Sequence, residues 1–570
     1  MPSVFPVDVP SEPALMPIQF LTCALISLLA ITVRADVRLP NVFGDHMVLQ
    51  RDKPVTVWGW ANPGEQITVG FANQEVATTA ADSGEWSVQL KPLETSFEGR
   101  RLVARGTESK VTCSDVLVGE VWLCGGQSNM EWSLRASRNA DVEIPSANYS
   151  AIRYLRIPHI ARPEPQSDFP VSNPEDGERD WKRCIREEVE NCTGVGYYFA
   201  RRLHRWLKCP VGLIDTSWGG TMAQHWASPN TLRGIAEMSP YFDTFHKQVK
   251  AWNNQGGEEG AAERYTTALA KWEVDRAAAQ AAGEREPRRP NGAAYQNPEH
   301  KRQPGGMFNG MIMPIARFTL RGVLFYQGEN NSFTVGWKPF PKTFPAVFND
   351  WRTAFGEDLP IGIIQIAGWS NRRSMTYDMN HHTNIVREVQ HITWQRTPNT
   401  GLIVTFDTNS NGSIHPGRKL PVGERSARWA LAEVYGATTH GSSNPLEWRG
   451  PVYKSMKTED GRIVVTFEEG TDRGLRLDQD AVLGFYIAGE DRKFHVAQAR
   501  ITTDTIKKPH VVIWSDDVPA PVAARYAWSN LPLGSLMNYR ELPAYPFRTD
   551  NWPLVPHQST GEYRIRDVLE

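Results

Sequence analysis

The sequence predicts an α/β fold in which a parallel β-sheet, with helices on both faces, is flanked by an all-β module at each end. Three observations support this prediction. Residues 36–114 alternate apolar and polar side chains between turn signals, as the short strands of a sandwich or jelly-roll do. Residues 115–440 alternate apolar runs with helical stretches, which is typical of a parallel sheet covered on both faces. From residue 441 to residue 570 the β pattern returns.

Short apolar runs predict the individual strands. In the N-terminal module they are residues 55–60, 66–71 and 85–90. In the central domain they are residues 116–123, 210–215, 322–326, 360–366 and 402–406, with helices predicted at 196–207 and 423–435 and a helical insertion at 229–304. In the C-terminal module they are residues 462–467 and 510–514. Parallel sheets bind ligands at the carboxyl ends of their strands, so functional residues are expected there.

Composition excludes several classes of protein. The chain has 570 residues, and at roughly 100–200 residues per domain it is too long for a single ordinary one. Lys and Arg total 62 against 64 Asp and Glu, so no basic field for nucleic acid is present. Hydrophobic residues at 40% are near the globular average, which argues against disorder. The 20 Trp residues are many, and Trp stacks well on sugar rings.

Residues 1–35 are predicted to be a signal peptide. The uncharged apolar run at 20–33 is too short for a membrane span, which needs about 20 residues, but it suits the core of a signal peptide. Val33-Arg34-Ala35 fits a small-residue cleavage site, which would leave Asp36 as the first mature residue. No Lys or Arg precedes the run within residues 1–19, so Met16 is an alternative start. We expect a secreted, periplasmic or lumenal protein without a membrane span.

Five cysteines remain after cleavage, and none shows metal-ligand spacing. Cys184 and Cys192 are the first pair to consider for a disulfide. No phosphate-binding loop, zinc motif or EF-hand is present, so no cofactor or metal is expected.

Ser128 is the first candidate catalytic residue. It lies in residues 125–130 (GGQSNM), directly after the strand predicted at 116–123. A Ser on a tight turn between strand and helix can present its hydroxyl beside free backbone N–H groups, which can stabilise an oxyanion. The G-x-S-x-G motif is not matched, since Met130 replaces the second Gly. The alternative is a Ser that only caps a helix.

Three further motifs follow predicted strands. Gly219 and Gly220, in residues 215–221 (DTSWGGT), allow a ligand close to the backbone. In residues 326–330 (YQGEN), Gln327 is a plausible oxyanion donor and Glu329 a plausible acid, base or orienting group. His415 precedes a Pro in the loop after the strand at 402–406, which helps to aim its imidazole. Together with Ser128 these residues form a set for acyl transfer.

The chain resembles the sialate O-acetylesterase family of SGNH-type serine hydrolases, which are carbohydrate acetylesterases. The resemblance covers nearly the whole mature chain. Its specific blocks are GQSNMEW at residues 126–132 and YQGE at residues 326–329. Further blocks lie at residues 43–51 (FGDHMVLQR), 218–221 (WGGT), 414–416 (IHP), 524–528 (ARYAW) and 542–548 (LPAYPFR).

The resemblance implies removal of an acetyl group from a sugar hydroxyl, with Ser128 as nucleophile and His415 as general base. The implied oxyanion donors are the N–H of Ser128, an N–H of Gly219 or Gly220, and the Gln327 side chain. The implied substrate is O-acetylated sialic acid or another acetylated glycan. The residues expected to contact it flank these motifs: Gln127, Asn129, Trp132 and Trp218.

One departure from the family pattern concerns the acid that orients His415. Many relatives carry Asp two residues before the His, where this chain has Ser413. Glu329 and Asp407 are the candidates, because each lies just past a predicted strand, and related carbohydrate acetylesterases favour Glu329. A backbone carbonyl could also serve, which would leave a Ser–His dyad.

The sequence is also compatible with two alternative functions. An acetylesterase acting on xylan or another polysaccharide would have an identical catalytic set. A secreted carbohydrate-binding protein with a silent hydrolase domain belongs to a different class, and the intact set of Ser128, Gln327 and His415 argues against it.

Overall fold

The computed structural model describes residues 36–170, 181–333, 336–369, 379–409, 413–477, 482–555 and 562–565. The predicted signal peptide lies outside these residues. The described residues from Asp36 onward form one compact unit. Within the described ranges, no helix is both long enough and apolar enough to cross a membrane. The cysteines of the described residues are buried, and Cys184 and Cys192 form no disulfide there.

The N-terminal module consists of short strands that join the central sheet through one long strand. Its strands are β1 (Val48–Gln50), β2 (Val55–Trp60), β3 (Gln66–Phe71), β4 (Gln74–Thr79), β5 (Glu85–Leu90), β6 (Ser96–Arg105) and β7 (Lys110–Gly126). The strands β2 and β5 form a separate antiparallel pair, while β4, β3, β6 and β7 are antiparallel neighbours. The expected boundary at residue 114 therefore falls inside β7, which continues into the central sheet.

The central sheet is parallel except for one edge strand. Its further strands are β8 (Asn148–Arg156), β9 (Lys182–Ile185), β10 (Val211–Asp215), β11 (Gly322–Tyr326), β12 (Ile361–Ile364) and β13 (Thr400–Ile403). The order is β13-β12-β11-β7-β10-β8-β9, and only β9 runs antiparallel to its neighbour. All side chains of β10, β11 and β12 are buried, as expected for strands covered on both faces.

Helices cover this sheet and form the insertion. They are α1 (Ser128–Glu131), α2 (Ala140–Ser146), α3 (Gly194–Leu207), α4 (Pro229–Arg233), α5 (Ser239–Asn254), α6 (Gly257–Ala282), α7 (Pro298–Arg302), α8 (Phe340–Phe355), α9 (His382–Arg396) and α10 (Leu420–Trp429). The helix α8 packs Phe344, Phe348 and Trp351 against Phe325 of β11, with ring centroids 5.3–6.0 Å apart. Such aromatic contacts anchor the helix over the strand that leads into the YQGE motif.

The C-terminal module contains two antiparallel sheets. Their strands are β14 (Tyr453–Glu459), β15 (Arg462–Phe467), β16 (Phe485–Ala488), β17 (Phe494–Val496), β18 (Gln498–Thr503), β19 (Pro509–Trp514), β20 (Ala523–Tyr526) and β21 (Phe547–Arg548). One sheet has the order β14-β15-β19-β18 and the other β17-β16-β20-β21. The fold is therefore α/β with β modules at both ends, as the sequence predicts.

Glu120 of β7 is expected to be a major source of stability. Its carboxylate is fully buried and accepts from Arg51 at 2.6 Å, Arg321 at 2.7 Å and Gln50 at 3.0 Å. We expect Glu120→Ala to lower the free energy of unfolding by about 3–5 kcal/mol, because it leaves two guanidinium groups without their shared partner. Urea denaturation would measure this.

A matched control is Glu459→Ala, which removes an exposed ion pair with Lys457. Such surface pairs contribute about 0–1 kcal/mol. Equal destabilisation by the two variants would contradict the assigned importance of Glu120.

Candidate active site

The structure brings Ser128 and His415 together at the carboxyl edge of the central sheet. The Nε2 atom of His415 lies 2.7 Å from Oγ of Ser128. Ser128 opens α1, two residues after β7 ends at Gly126. Gly126 has φ of +122°, and a Cβ there would lie 2.1 Å from the Tyr326 carbonyl oxygen, so only glycine fits this turn. The chain thus leaves β7 in a conformation that exposes the Ser128 hydroxyl to His415.

Stacking and a local turn hold the His415 ring. The Trp132 ring stacks on it with centroids 5.1 Å apart and an interplanar angle of 26°. Trp132 is itself fixed by donating from Nε1 to the Ala136 carbonyl at 2.7 Å. The backbone N–H of His415 donates to Oγ of Ser413 at 3.0 Å. Ser413 therefore shapes the backbone of the histidine loop.

Neither candidate acid touches the imidazole. Asp407 accepts two hydrogen bonds from Arg425, both at 2.7 Å. Glu329 accepts from Nδ2 of Asn129 at 2.5 Å, and its second oxygen is buried without a partner among the described residues. In the described part of the chain, no carboxylate hydrogen-bonds to His415. Among the described residues, neither acid is therefore placed to orient the imidazole directly, and the Ser–His dyad stays a prediction.

Asn129 lies at the centre of a buried polar network rather than in the substrate cleft. It is fully buried, and besides Glu329 its Nδ2 donates to the Ile414 carbonyl at 3.1 Å. Its Oδ1 accepts from Nζ of Lys419 at 2.6 Å. Burial raises the pKa of Glu329 to about 7 and lowers the pKa of Lys419 to about 7. The expectation that Asn129 contacts substrate does not fit, because both ends of its amide are already engaged.

Gln327 and Gln127 are likewise engaged within the protein. Gln327 is fully buried and donates from Nε2 to Oε1 of Gln127 at 2.7 Å and to the Thr221 carbonyl at 2.9 Å. Oε1 of Gln127 also accepts from the Asn330 N–H at 3.1 Å. Since both N–H bonds of the Gln327 amide are used, the expected role of its side chain as an oxyanion donor does not fit. The two glutamines instead tie the YQGE loop to the Ser128 turn.

Gly219 lies next to Ser128, and its N–H is already taken by a carboxylate. A Cβ on Gly219 would lie 3.1 Å from Cβ of Ser128, so the two residues are in close contact. The Gly219 N–H donates to Oε2 of Glu131 at 2.6 Å. The other oxygen of Glu131 accepts from Arg156 at 2.8 Å. Among the described contacts, the N–H groups of Ser128 and Gly220 have no acceptor.

Trp218 is covered by neighbouring side chains. It is only 5% exposed, and His159 stacks on its ring at 4.7 Å with an interplanar angle of 4°. His300 meets the ring edge-on at 5.3 Å, and Nζ of Lys301 lies 5.5 Å from its centre. The expected sugar contact by Trp218 does not fit this burial. The helix α7, which carries His300 and Lys301, shows that the helical insertion forms part of the wall around the site.

Four further residues belong to this site although no sequence pattern assigned them a role: Glu131, Arg156, His159 and Lys419. Glu131 belongs to the GQSNMEW block, and its position three residues after Ser128 in α1 could have drawn attention to it. Lys419 follows His415 by four residues. Arg156 ends β8, and His159 lies in the loop that follows it, so both occupy the strand edge where ligands are expected. Among the described residues, no group of His, Cys, Asp and Glu is placed to hold a metal ion.

Comparison with known proteins gives a consistent result. No family model matches the chain. The sialate O-acetylesterase of Mus musculus is 24% identical over 530 residues, covering 87% of this chain and 90% of the mouse protein. The sialate O-acetylesterase of Homo sapiens is 24% identical over 551 residues, covering 89% of this chain and 90% of the human protein.

A solved structure is similar over nearly the same extent. It is a carbohydrate acetylesterase from Xanthomonas citri, 29% identical, with a TM-score of 0.72. The match covers 90% of this chain and all of that one. The chain is therefore similar to sialate O-acetylesterases and to a carbohydrate acetylesterase over about 90% of its length, and it is a carboxylic ester hydrolase.

Proposed function

We propose that this protein removes O-acetyl groups from sugar hydroxyls through an acetyl-enzyme intermediate, and that it acts outside the cytoplasm after cleavage of residues 1–35. The observation that carries the proposal is the 2.7 Å hydrogen bond between Nε2 of His415 and Oγ of Ser128. A nucleophile and a base at this distance form the core of a serine esterase. The similarity to a sialate O-acetylesterase and a carbohydrate acetylesterase supports an acetylated sugar as the substrate.

In the proposed mechanism, His415 removes the proton of Ser128 as Oγ attacks the acetyl carbonyl carbon. The imidazolium then gives this proton to the departing sugar oxygen, which leaves Ser128 acetylated. A water molecule loses a proton to His415 and attacks the acetyl carbon. Acetate leaves, and the proton on His415 returns to Oγ of Ser128. His415 acts without a hydrogen-bonded carboxylate, as a dyad.

The oxyanion is assigned to backbone donors alone. The N–H of Ser128 is one donor, and the second is the N–H of Gly219 or Gly220. Gly219 lies closer to Ser128 but first requires Glu131 to move away, whereas Gly220 N–H has no acceptor among the described residues. One donor of this kind lowers the barrier by about 2.7–4 kcal/mol.

Sialic acid is the favoured sugar because cations line one side of the site. Arg156 pairs with Glu131 beside Gly219, and Nζ of Lys301 would lie 3.3 Å from a Cβ on Gly220. Sialic acid carries a carboxylate that such groups can bind, whereas xylan is mostly neutral. Trp132 remains a proposed substrate contact, because it is partly exposed beside His415.

The test is acetate release from 9-O-acetylated sialic acid and from acetylated xylan under identical conditions, with Ser128→Ala as the blank. We expect kcat/KM to be higher for the sialic acid. A higher value for xylan would favour the polysaccharide acetylesterase instead. Release from neither substrate, with binding to one of them in calorimetry, would favour the silent carbohydrate-binding protein.

The pH dependence of the reaction follows from His415. Burial lowers its pKa below the usual 6.5, the charge of Lys419 lowers it further, and Glu131 opposes the shift. The base must be neutral to accept the Ser128 proton, and a lowered pKa keeps it neutral to lower pH. We therefore expect the acid limb of kcat/KM to have its midpoint below pH 6.5. A midpoint above 6.5 would contradict this environment for His415.

A further inference from the structure

Lys419 is a buried cation directly beneath the catalytic pair. It is 1% exposed, and its ammonium donates to a single side-chain acceptor among the described residues, Oδ1 of Asn129 at 2.6 Å. Its Nζ also lies 5.7 Å from the ring centre of Trp132 and 5.5 Å from that of Tyr326. A buried charge is costly unless it is hydrogen-bonded and balanced, so its retention at this position requires an explanation.

Chemistry fixes the orientation of the Asn129 amide between Lys419 and Glu329. An ammonium can only donate a hydrogen bond, so it must face the amide oxygen of Asn129. The amide NH₂ group therefore faces Glu329, whose Oε1 accepts at 2.5 Å, and the Ile414 carbonyl, which accepts at 3.1 Å. Ile414 directly precedes His415. The ammonium on one side of the amide polarises it and strengthens the hydrogen bonds that its NH₂ group donates.

We propose that Lys419 is a positioning residue of the esterase reaction. Through Asn129 it holds the Ile414 carbonyl, and thereby the loop that presents His415 to Ser128. In this way it fills an orienting role that neither Glu329 nor Asp407 takes, since Glu329 accepts from Asn129 and Asp407 accepts from Arg425. The inference rests on the proposed function, because it assigns a role within that reaction.

Lys419 also acts on His415 through its charge. Among the described groups, the charges that act on His415 are Lys419 and Glu131, and Lys419 in turn faces Glu329. The positive charge of Lys419 disfavours the imidazolium. Loss of that charge should therefore raise the pKa of His415 and move the acid limb of kcat/KM to higher pH. A lysine whose charge does not reach the imidazole would not move this limb.

Two substitutions separate the hydrogen bond from the charge. Lys419→Met removes both, and Lys419→Gln keeps a donor for Asn129 but removes the charge. With p-nitrophenyl acetate we expect Lys419→Met to lower kcat about 100-fold with KM little changed. The reason is that the loop no longer holds the imidazole of His415 in place against Ser128. We expect Lys419→Gln to recover part of kcat while the acid limb stays shifted to higher pH.

The control is Lys53→Met, which removes a partly buried lysine that donates to the Leu320 carbonyl at 2.9 Å and pairs with Glu357, away from the site. It is expected to keep wild-type kcat and pH profile. Circular dichroism and urea denaturation would establish that each variant is folded. If the Lys419 variants do not fold, Asn129→Asp is the second approach, since an Asp ionised beside Lys419 accepts its hydrogen bond but cannot donate to Ile414. It is expected to lose kcat similarly.

The proposal is wrong if folded Lys419→Met, or folded Asn129→Asp, retains the wild-type kcat and acid limb. This outcome is distinct from failure of the proposed function, in which the wild-type protein itself would release no acetate. An equal loss of kcat in Lys419→Met and Lys53→Met would also overturn the proposal, because it would reduce the effect to general destabilisation.

Discussion

Replacing Ser128 with alanine is expected to lower kcat for p-nitrophenyl acetate by about 10⁶-fold, the scale seen when a serine hydrolase loses its nucleophile. Alanine has no hydroxyl to attack the acetyl carbon, so no acetyl-enzyme can form. The substitution removes only the oxygen that contacts His415, and the folded state should be unaffected. Release of p-nitrophenolate measures the rate, and urea denaturation verifies the fold.

Ser146→Ala is the matched control for Ser128→Ala. Its hydroxyl donates to the Val142 carbonyl at 2.6 Å within α2, and it takes no part in the site. This variant should keep the wild-type rate. Equal rates for Ser128→Ala and the wild-type protein would refute the catalytic role of Ser128 and would leave the silent binding protein as the better interpretation.

The second large effect is expected for His415→Ala, with a loss in kcat of about 10⁶-fold. Without the imidazole, no base takes the proton of Ser128 as the bond to the acetyl carbon forms. Because the two residues act as a unit, the double variant Ser128→Ala/His415→Ala should be no slower than either single variant. This non-additivity is the sharper part of the prediction.

His495→Ala serves as the control for His415, since it lies in the C-terminal module beside Asp517. Full activity is expected there. If the losses in the double variant were instead the product of the two single losses, Ser128 and His415 would be acting in separate steps, and the shared proton transfer would have to be abandoned.

Much of the fold follows from local sequence patterns. The strands at residues 55–60, 66–71, 322–326 and 462–467 have the bounds that the alternation and the apolar runs predict. The strand predicted at 402–406 is instead Thr400–Ile403. Its bounds follow its pairing with β12, where Ile361 faces Thr400 and Ile364 faces Ile403, and this register is not visible in the strand's own sequence.

The ends of helices and the continuity of strands are likewise not evident from the local sequence. The helix predicted from residue 423 begins at Leu420, because Pro421 is tolerated in a first turn, where its missing N–H is not needed. Composition changes near residue 114, but β7 runs through this point without interruption. A strand that belongs to two sheets satisfies the patterns of both, so its sequence alone does not reveal its continuity.

The motifs in the sequence located the site, but they did not show which side chains face the cleft. Residue type and strand-end position suffice to bring Ser128 and His415 together. They do not reveal that the side chains of Gln327 and Asn129 form their hydrogen bonds with other residues of the protein, or that His159 covers Trp218. Those facts depend on partners up to 290 residues distant in sequence, as in the Asn129–Lys419 contact. The same is true of Lys419.

The contact between Glu131 and the Gly219 N–H also has a consequence for affinity. A ligand that uses this amide can bind only to the fraction of molecules in which Glu131 has left it. Its apparent dissociation constant is the intrinsic value divided by that fraction, so an amide free for about one tenth of the time weakens binding about tenfold. If the Gly219 N–H is the second oxyanion donor, acetate, the product of the proposed reaction, would compete with Glu131 for it, since acetate is itself a carboxylate. Glu131 would therefore weaken the binding of the product as well as that of the substrate.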